Sequence, residues 1–236
     1  IVELGLSVKV DNLFEIKTTI IPKFEIIDGQ NFISYSTSYL ESNQYFFKRI
    51  FDIIFTLLIS FIFLPIAIIV SIFIILDSGF PIFFTQTRGG LNAKKFKIYK
   101  FRTMRVGADD ERSELLDKND LEGIGFKLHN DPRVTKFGNF LRKYSIDEIP
   151  QFINVLTGEM SIVGPRPAVF DEIDRYENWH RKRLSVRPGI TGPWQLTDRL
   201  STDFDERIRL DLNYIETQSF LKDLIIILRT PIAMIK

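Results

Sequence analysis

Residues 53–76 read IIFTLLISFIFLPIAIIVSIFIIL, a run of 24 residues without a charged side chain. A helix that crosses the hydrocarbon core of a bilayer needs about 20 such residues. Helices of soluble proteins are rarely apolar on every face over this length, because one side normally meets water. The run therefore predicts a helix in contact with a membrane.

Pro65 lies in the middle of this run, where its missing N–H and its ring should kink or break a helix. Lys48 and Arg49 precede the run, and further basic residues, beginning with Arg88, follow it. Because a spanning helix normally has its excess of Lys and Arg on one side only, this symmetry favours a re-entrant helix over 48–77 that turns back at Pro65. A proline-kinked spanning helix remains the alternative.

A second apolar stretch, LIIILRTPIAMIK, closes the chain at residues 224–236. It is too short to span a bilayer, and Pro231 interrupts it. An interfacial amphipathic helix and an ordinary core helix both fit this pattern.

At the other end of the chain, apolar and polar residues alternate from Lys23 to Ile27 before Asp28-Gly29, which is typical of a strand that ends in a tight turn. Fewer than about 50 residues rarely bury a core of their own. We therefore expect residues 1–46 to be the trailing end of an upstream domain with its linker, and residues 47–236 to form the main domain.

Composition excludes several classes of protein. The chain has 31 Lys and Arg against 30 Asp and Glu, two histidines and no cysteine. The absence of cysteine rules out a disulfide scaffold, a thiol nucleophile and a Cys-ligated metal, and two histidines argue against a His-rich metal site. With 45% hydrophobic residues, the chain is not intrinsically disordered.

The segment 81–105 contains seven Lys or Arg and no acid. Phe96, Ile98 and Phe101 interleave with basic residues, and Gly89-Gly90 supplies a turn, so the segment predicts a β-hairpin with a basic face. Such a face suits anionic lipid headgroups or a phosphorylated ligand. The neighbouring apolar run argues against nucleic acid.

The block LRKYSIDEIPQFINVLTGEMSIVGPRP at 141–167 carries the candidate chemistry. Pro150 is tolerated only in the first turn of a helix, so we expect the helix to begin near residues 145–147 and to end at Gly158. Asp147 and Glu148 would then lie at a helix N-terminus, where the dipole favours ionised carboxylates. Such a carboxylate can attack phosphorus or hold a hard cation. Alternatively, Ser145-x-x-Glu148 is only a capping box.

Arginines accompany this acid pair. Arg142 precedes it, Arg166 lies between two prolines, and Arg187 begins a Pro-Gly turn. Planar guanidinium groups suit phosphate oxygens better than a flexible lysine does. A carboxylate, several arginines and a membrane segment together indicate phosphoryl transfer. With no cysteine and few histidines, Mg²⁺ held by carboxylate and substrate oxygens is the expected metal.

Six segments together carry a resemblance to a known family. They are Lys48-Arg49-x-Phe51-Asp52, Phe84-Thr85-Gln86 with Arg88, Lys97 to Met104, Asp147 to Gln151, Gly164 to Pro167, and Arg187 to Gly192. In this order they resemble the bacterial sugar transferases, the monotopic polyprenyl-phosphate sugar-1-phosphate (phosphoglycosyl) transferases. Residues 1–46 resemble the end of the extra domain that precedes the catalytic part in larger members.

The resemblance implies transfer of a sugar-1-phosphate from a UDP-sugar to undecaprenyl phosphate, with UMP as the other product. This would be the first membrane step of exopolysaccharide, capsule or O-antigen synthesis. Asp147 matches the family's nucleophile, which forms a covalent aspartyl-phosphosugar and contacts Mg²⁺, and Glu148 matches its partner. Pro65 matches the proline that breaks the re-entrant helix. The residues assigned to phosphate binding are Arg88, Lys100, Arg142, Arg166 and Arg187.

The expected fold is mainly α with a small β-hairpin (α+β), a membrane-associated catalytic domain with interfacial amphipathic helices. The expected location is the bacterial inner membrane, with the active site facing the cytoplasm and with lipids, UDP-sugar and undecaprenyl phosphate as partners. Two rival hypotheses stay open: a catalytically inactive membrane scaffold with a basic lipid-binding surface, and a single-span membrane protein. No motif specifies the sugar, the polysaccharide or a homo-oligomeric state.

Overall fold

A computed structural model describes residues 22–27, 30–35, 42–108, 111, 128, 131–196 and 203–235. The helices are α1 (Ser42–Ser78), α2 (Lys136–Lys143), α3 (Gln151–Thr157), α4 (Phe170–Ile173), α5 (Phe204–Glu216) and α6 (Phe220–Ile235). The strands are β1 (Pro22–Ile27), β2 (Gln30–Tyr35), β3 (Phe83–Gly89), β4 (Lys95–Phe101), β5 (Ser161–Val163) and β6 (Gly189–Thr191). Short 3-10 helices cover Leu91–Ala93, Ile146–Glu148, His180–Ser185 and Pro193–Leu196. The described chain is thus mostly helical, with small two-stranded sheets.

The long helix α1 contains the apolar run and continues through Pro65 without interruption. The predicted break therefore does not end the helix. A proline removes the hydrogen bond that its own nitrogen would donate, whereas the turns on either side keep theirs. The path of α1 relative to a bilayer remains a prediction.

Apolar side chains cover the outside of α1. Among the described residues, one helix, at Asn43–Ser78, is long and apolar enough to cross a membrane. Large side chains such as Phe61, Leu58 and Leu76 are 87%, 68% and 76% exposed. Helix α6 has a buried face, which includes Ile226, and an exposed apolar face, which includes Leu228. It therefore has features of both the interfacial and the core helix expected from its sequence.

Strands β3 and β4 pair antiparallel, which confirms the predicted hairpin, with Arg88 opposite Phe96 and Phe84 opposite Lys100. The hairpin has an exposed face with basic residues, as expected, but not all of its cations lie on that face. Lys95 and Lys97 lie on the exposed face, whereas Lys100 shares the opposite face with Phe96 and Ile98, because alternate residues of a strand point the same way. The cations are thus divided between the two faces of the hairpin.

The strand predicted at residues 23–27 is confirmed as β1, which pairs antiparallel with β2. The turn at Asp28-Gly29 lies outside the described residues. The division of the chain at residue 46 stays a prediction.

Two hydrophobic clusters hold α1 against the rest of the protein. The larger cluster joins Phe96 and Ile98 of β4 to α3, α5 and α6, and it includes Val155. The smaller cluster joins Val70 and Ile74 of α1 to Phe101 and Leu141. Strand β4 therefore packs on both faces, and its last residues lie between the main core and the second half of α1.

Candidate active site

The acid pair lies on a 3-10 turn and not at the start of an α-helix. Ile146–Glu148 forms this turn after Ser145, whose φ of 53° is left-handed, and α3 begins only at Gln151. Pro150 has no N–H to donate and so begins a new helix instead of extending the turn. The predicted helix start was therefore too early, whereas the predicted stop at Gly158 is confirmed by its φ of 86°.

Lys100 holds the acid pair from the end of β4. Its Nζ donates to Glu148 Oε1 at 2.6 Å and lies 4.0 Å from Asp147 Oδ2. Ser145 makes no side-chain capping bond. The capping-box alternative is therefore wrong for this turn, and the Glu148 carboxylate faces a cation.

Asp147 is only 8% exposed, and its burial determines its acidity. Burial raises the pKa of the Asp147 carboxyl to about 6, an effect to which the nearby Glu148 charge adds and which Lys100 and Arg142 oppose. Water stabilises the carboxylate little in such a place. At neutral pH the group is mostly ionised and weakly solvated, as an attacking oxygen needs to be.

Arg142 comes to the site on the last turn of α2. Thr135 caps this helix by accepting a hydrogen bond from the Gly138 N–H at 2.9 Å. A Cβ on Gly138 would lie 2.0 Å from the Thr103 carbonyl oxygen, so only glycine allows this close approach. Arg142 Nε then donates to Thr103 Oγ1 at 2.8 Å, which directs the guanidinium toward the segment that follows β4.

Arg88 lies in a cleft beside the acid pair. Its Nη1 donates to the Pro167 carbonyl at 3.0 Å and its Nη2 to Gln86 Oε1 at 2.6 Å. The Gly89 N–H donates to the Ala168 carbonyl at 2.9 Å. The end of β3 thus holds the Gly164–Pro167 loop. The residues that line the cleft include Arg88, Lys100, Glu148, Gln151, Arg166 and Gln195.

Arg166 is exposed, and its guanidinium lies over the Trp194 ring at 5.6 Å. Arg207 lies 5.8 Å from the same ring, so two guanidinium groups approach one indole. The chain after β5 and the start of β6 can approach this closely because Gly189 has no side chain. A Cβ at this position would lie only 2.1 Å from the Gly164 nitrogen. This contact between β5 and β6 brings Arg166 to the edge of the cleft.

Arg187 does not line this cleft. Its Nε donates to the Gly158 carbonyl at 2.7 Å, its Nη1 donates to the Tyr45 hydroxyl, and it borders a different cavity. The prediction that it binds substrate phosphate beside the acid pair has no support from this position. The structure therefore brings Arg88, Lys100 and Arg166 into one cleft with Glu148, while Asp147 lies behind it, 4.0 Å from Lys100, and Arg187 lies outside.

Three polar residues of the site were not predicted. Gln151 and Gln195 line the cleft, and Gln86 accepts from Arg88. Gln86 and Gln151 belong to the segments that carry the family resemblance, which was the available signal. Gln195 follows the segment 187–192, and its residue type alone indicated no role.

The acid pair fits a magnesium ion only together with a substrate. No group of three or more Asp, Glu, His or Cys that could hold a metal occurs in the part of the chain described. Mg²⁺ commonly binds one or two carboxylates and takes its remaining ligands from substrate phosphates and water. Asp147 and Glu148 match that donor set.

Comparison with known proteins agrees with the segments that frame this site. A family model described as bacterial sugar transferase matches residues 43–236. The galactosyl transferase CpsE of Streptococcus agalactiae is 44% identical over 212 residues, which is 88% of this chain and 46% of that protein. The undecaprenyl-phosphate galactose phosphotransferase of Salmonella typhimurium is 39% identical over 189 residues, 78% of this chain and 40% of that protein.

A shorter relative aligns over most of its length. The exopolysaccharide production protein ExoY of Sinorhizobium fredii is 38% identical over 187 residues, 78% of this chain and 83% of that protein. The chain thus spans less than half of the first two relatives and most of the third. The match over residues 43–236 includes the acid pair, the hairpin and α1. This chain belongs to the bacterial sugar transferase family.

Proposed function

We propose that the protein transfers a sugar-1-phosphate from a UDP-sugar to undecaprenyl phosphate, which gives undecaprenyl-diphosphate sugar and UMP. The observation that carries the proposal is the buried Asp147 carboxylate beside Glu148 and Lys100, two residues that line a cleft together with Arg88 and Arg166. The names of the Salmonella relative and of the UDP-glucose:undecaprenyl-phosphate glucose-1-phosphate transferase of Escherichia coli, 40% identical over 192 residues, support this reaction class.

In the first step, an Asp147 oxygen attacks the phosphorus that bears the sugar. A bond from Asp147 Oδ to phosphorus forms, and the bond from that phosphorus to the bridging oxygen breaks. The bridging oxygen leaves with UMP. Arg88 and Arg166, at the cleft, stabilise the negative charge that develops on the leaving phosphate.

In the second step, a phosphate oxygen of undecaprenyl phosphate attacks the same phosphorus. The acyl-phosphate bond to Asp147 breaks, which restores the carboxylate and releases the lipid-linked diphosphate sugar. Two steps through a covalent intermediate keep the two anionic substrates from having to meet directly. Lys100, at 2.6 Å from Glu148, keeps the partner carboxylate in place beside the nucleophile.

Asp147 and Glu148 would hold Mg²⁺ when substrate is bound. The ion would neutralise charge on the diphosphate and polarise its oxygens. The protein's own residues orient the diphosphate: Arg88 is fixed by the Pro167 carbonyl, and Arg166 rests against Trp194.

The re-entrant path of α1 forms part of the proposal. Near the start of α1, Arg49 Nη1 donates to the Val155 carbonyl at 2.6 Å, and at its end Arg102 Nη2 donates to the Ser78 carbonyl at 2.8 Å. Asn154 joins α3 to β4, since its Nδ2 donates to the Lys97 carbonyl at 2.7 Å. Both ends of α1 therefore contact one globular body, which supports an arrangement with both ends on the same side of the bilayer.

The acid pair lies close to the apolar surface. It follows α2, on which Phe140 is 50% exposed, and precedes α3, on which Ile153 is 48% exposed. The Phe73 ring contacts Phe137 of α2 at 5.5 Å between centroids. This position suits a lipid substrate whose phosphate lies at the bilayer surface. We propose the bacterial inner membrane, with the site facing the cytoplasm, as its location.

The test is to trap the covalent intermediate. The purified chain is incubated with Mg²⁺ and a UDP-sugar carrying ³²P in the sugar-linked phosphate, without lipid, and then quenched. We expect protein-bound ³²P, release of UMP and a sugar-phosphate adduct on the peptide that contains Asp147. A panel of UDP-sugars with UMP release as the readout identifies the sugar.

Two variants complete the experiment. Asp147→Asn should take up no label, whereas Asp174→Asn, which changes an exposed carboxylate away from the cleft, should label like the unmodified protein. Sugar-phosphate transfer by Asp147→Asn would show that another group is the nucleophile. No UMP release from any UDP-sugar would favour the inactive membrane scaffold.

A further inference from the structure

A second cavity lies at the start of α1, apart from the substrate cleft. We call it the basal cavity and define it by Tyr45, Arg49, Ser185, Arg187 and Gln218, which are among its lining residues. Its volume is about 30 Å³. A single water needs about 10–15 Å³ of such a cavity. The basal cavity therefore has room for a few oxygen atoms and not for a whole sugar.

The basal cavity has an excess of positive charge. Lys48 is neutralised by Asp223 at 2.6 Å, and Asp52 accepts hydrogen bonds from Ser161 Oγ and the Ile162 N–H. Within the described parts of the chain, Arg49 and Arg187 have no carboxylate within 4.0 Å. The pKa of Arg49 is lowered chiefly by burial and further by repulsion from the Arg187 charge, while the Asp52 carboxylate, which also lines the cavity, opposes both.

These two arginines also cap the end of α3. Arg49 donates to the Val155 and Leu156 carbonyls at 2.6 and 3.0 Å, and Arg187 donates to the Gly158 carbonyl. Capping explains their orientation, since cations stabilise a helix C-terminus. Asp52 offsets part of their combined charge from beyond 4.0 Å, so the two arginines together keep an excess of positive charge.

Two of the residues that line the cavity carry buried polar atoms without partners. Ser185 Oγ and Gln218 Oε1 are buried, and among the residues that the structure covers neither has a hydrogen-bond partner. Gln218 Nε2 donates to the Tyr214 hydroxyl at 2.9 Å, which leaves the amide oxygen free to accept. Buried polar atoms are almost always hydrogen-bonded in proteins. The wall thus offers cations for an anion and an acceptor for a hydroxyl group.

The surroundings of the cavity are apolar. Phe46 and Phe47, on the first turns of α1, are 62% and 67% exposed. Phe220 and Leu221, on the first turn of α6 just after Gln218, are 62% and 65% exposed. An occupant that carries both a phosphate and acyl chains matches this combination, whereas a free phosphate would gain nothing from the exposed apolar side chains.

We propose that the basal cavity binds the headgroup of an anionic phospholipid with a hydroxylated headgroup, such as phosphatidylglycerol. The phosphodiester oxygens lie against Arg49 and Arg187, and a glycerol hydroxyl donates to Gln218 Oε1. This site goes beyond the transferase reaction and depends only on contact between the protein and a membrane. It gives Arg187 a phosphate to bind, although not that of the substrate.

Native mass spectrometry of the full chain, released from nanodiscs of phosphatidylcholine with one-fifth phosphatidylglycerol, tests the proposal. We expect one retained phosphatidylglycerol per chain. Arg187→Gln and Gln218→Glu should each weaken retention about tenfold, the factor that corresponds to about 1.4 kcal/mol. Gln218→Glu places a carboxylate beside the two arginines, where it competes with the lipid phosphate for their charge. It leaves Arg49 and Arg187 in place as caps of α3.

Arg181→Gln is the matched control, because it removes the same charge from an exposed position in the neighbouring segment. Equal loss of lipid from this control would overturn the proposal in favour of diffuse attraction to the membrane. Unchanged retention in Gln218→Glu would exclude the cavity. Displacement of the lipid by millimolar glycerol phosphate would overturn the lipid assignment and identify a site for free phosphate. UMP release, measured in parallel, reports on the transferase reaction separately.

Discussion

Asp147, the proposed nucleophile, combines two properties that oppose each other: its carboxyl group is buried, and it must be charged to attack phosphorus. The pKa of its carboxyl in the folded protein is about 6, above the value of about 3.9 for an exposed aspartate. Between these pH values the folded chain holds a proton that the unfolded chain has released. The free energy of unfolding therefore falls as pH rises from about 4 to 6, and it stays lowered above pH 6.

Asp147→Asn should consequently stabilise the protein while it abolishes transfer. At pH 7.5 we expect the free energy of unfolding to rise by about 3 kcal/mol, because the neutral amide avoids the burial of a charge. Thermal unfolding in detergent, followed by tryptophan fluorescence, measures the change. A lower midpoint for Asp147→Asn than for the unmodified protein would mean that the carboxylate is stabilised in the fold, contrary to the effect of burial.

The pH dependence of transfer follows from the same group. In the proposed mechanism only the ionised carboxylate attacks phosphorus, so we expect kcat/KM to fall about tenfold per pH unit below pH 6. Increasing Mg²⁺ should move this acidic limb to lower pH, since a cation bound at the carboxylate competes with the proton. Initial rates of UMP release between pH 5 and 8, at two Mg²⁺ concentrations, test both expectations. A flat profile across pH 6 would contradict the role of Asp147.

At the scale of single residues, the sequence indicated the acid pair and most of the basic residues around it. It could not indicate which arginine reaches the cleft. Arg166 and Arg187 both lie beside proline in stiff loops, and only the packing of β5 on β6 separates them. That packing depends on contacts between distant residues, which local spacing does not report.

Among the elements, α1 is attached at its start by a buried ion pair in addition to the hydrogen bonds of Arg49 and Asp52. Lys48 Nζ lies 2.6 Å from Asp223 Oδ2, and Tyr214 donates to the other oxygen of this carboxylate at 2.5 Å. Lys48→Met should lower the free energy of unfolding by about 3 kcal/mol, because it leaves a buried carboxylate without a cation. The thermal midpoint in detergent measures the loss.

Lys182→Met provides the matched control for this ion pair. Lys182 lies 2.7 Å from Glu216, whose side chain is 42% exposed, so water solvates the carboxylate that remains. We expect a loss below about 1 kcal/mol. Equal destabilisation by the two variants would mean that burial of Asp223 adds nothing to the attachment of α1.

The close approach of α2 to Thr103 gives another prediction at this scale. Gly138→Ala would place a Cβ 2.0 Å from the Thr103 carbonyl oxygen, which is backbone and cannot rotate away. We expect a loss of stability of about 2 kcal/mol and a fall in kcat as Arg142 is displaced. Asn139→Ala, at an exposed position of the same helix, should leave both quantities nearly unchanged.

The elements themselves were largely predictable. Period-two alternation indicated the hairpin, and Gly158 indicated the end of α3. The sequence placed the start of α3 too early, because the left-handed Ser145 and the 3-10 turn that follows it have no strong local signal. The sequence did not show that Lys100 lies on the face opposite to Lys95 and Lys97, because which side of a strand packs at each position depends on distant residues.

For the whole molecule, the contacts of α1 bear on how the protein meets the membrane. A straight helix of 37 residues is roughly 55 Å long. In a spanning arrangement, one globular body could not contact both of its ends across a hydrocarbon core of about 30 Å. The Phe63 ring also contacts Phe152 of α3 at 5.4 Å between centroids, so the middle of α1 approaches the same body. Composition alone did not exclude a spanning helix, because it does not show where the two ends of α1 pack.

Cysteine labelling distinguishes the two arrangements. The chain has no cysteine, so Phe46→Cys and Phe80→Cys each carry a single thiol, at positions that are 62% and 69% exposed. A re-entrant helix predicts that a membrane-impermeant maleimide labels both variants in inside-out vesicles and neither in intact spheroplasts. Leu64→Cys, in the middle of the apolar run, should stay unlabelled in both preparations. Labelling of Phe46→Cys and Phe80→Cys from opposite sides would establish a spanning helix, and the contacts of Arg49 and Arg102 with one body could then not both persist in the membrane.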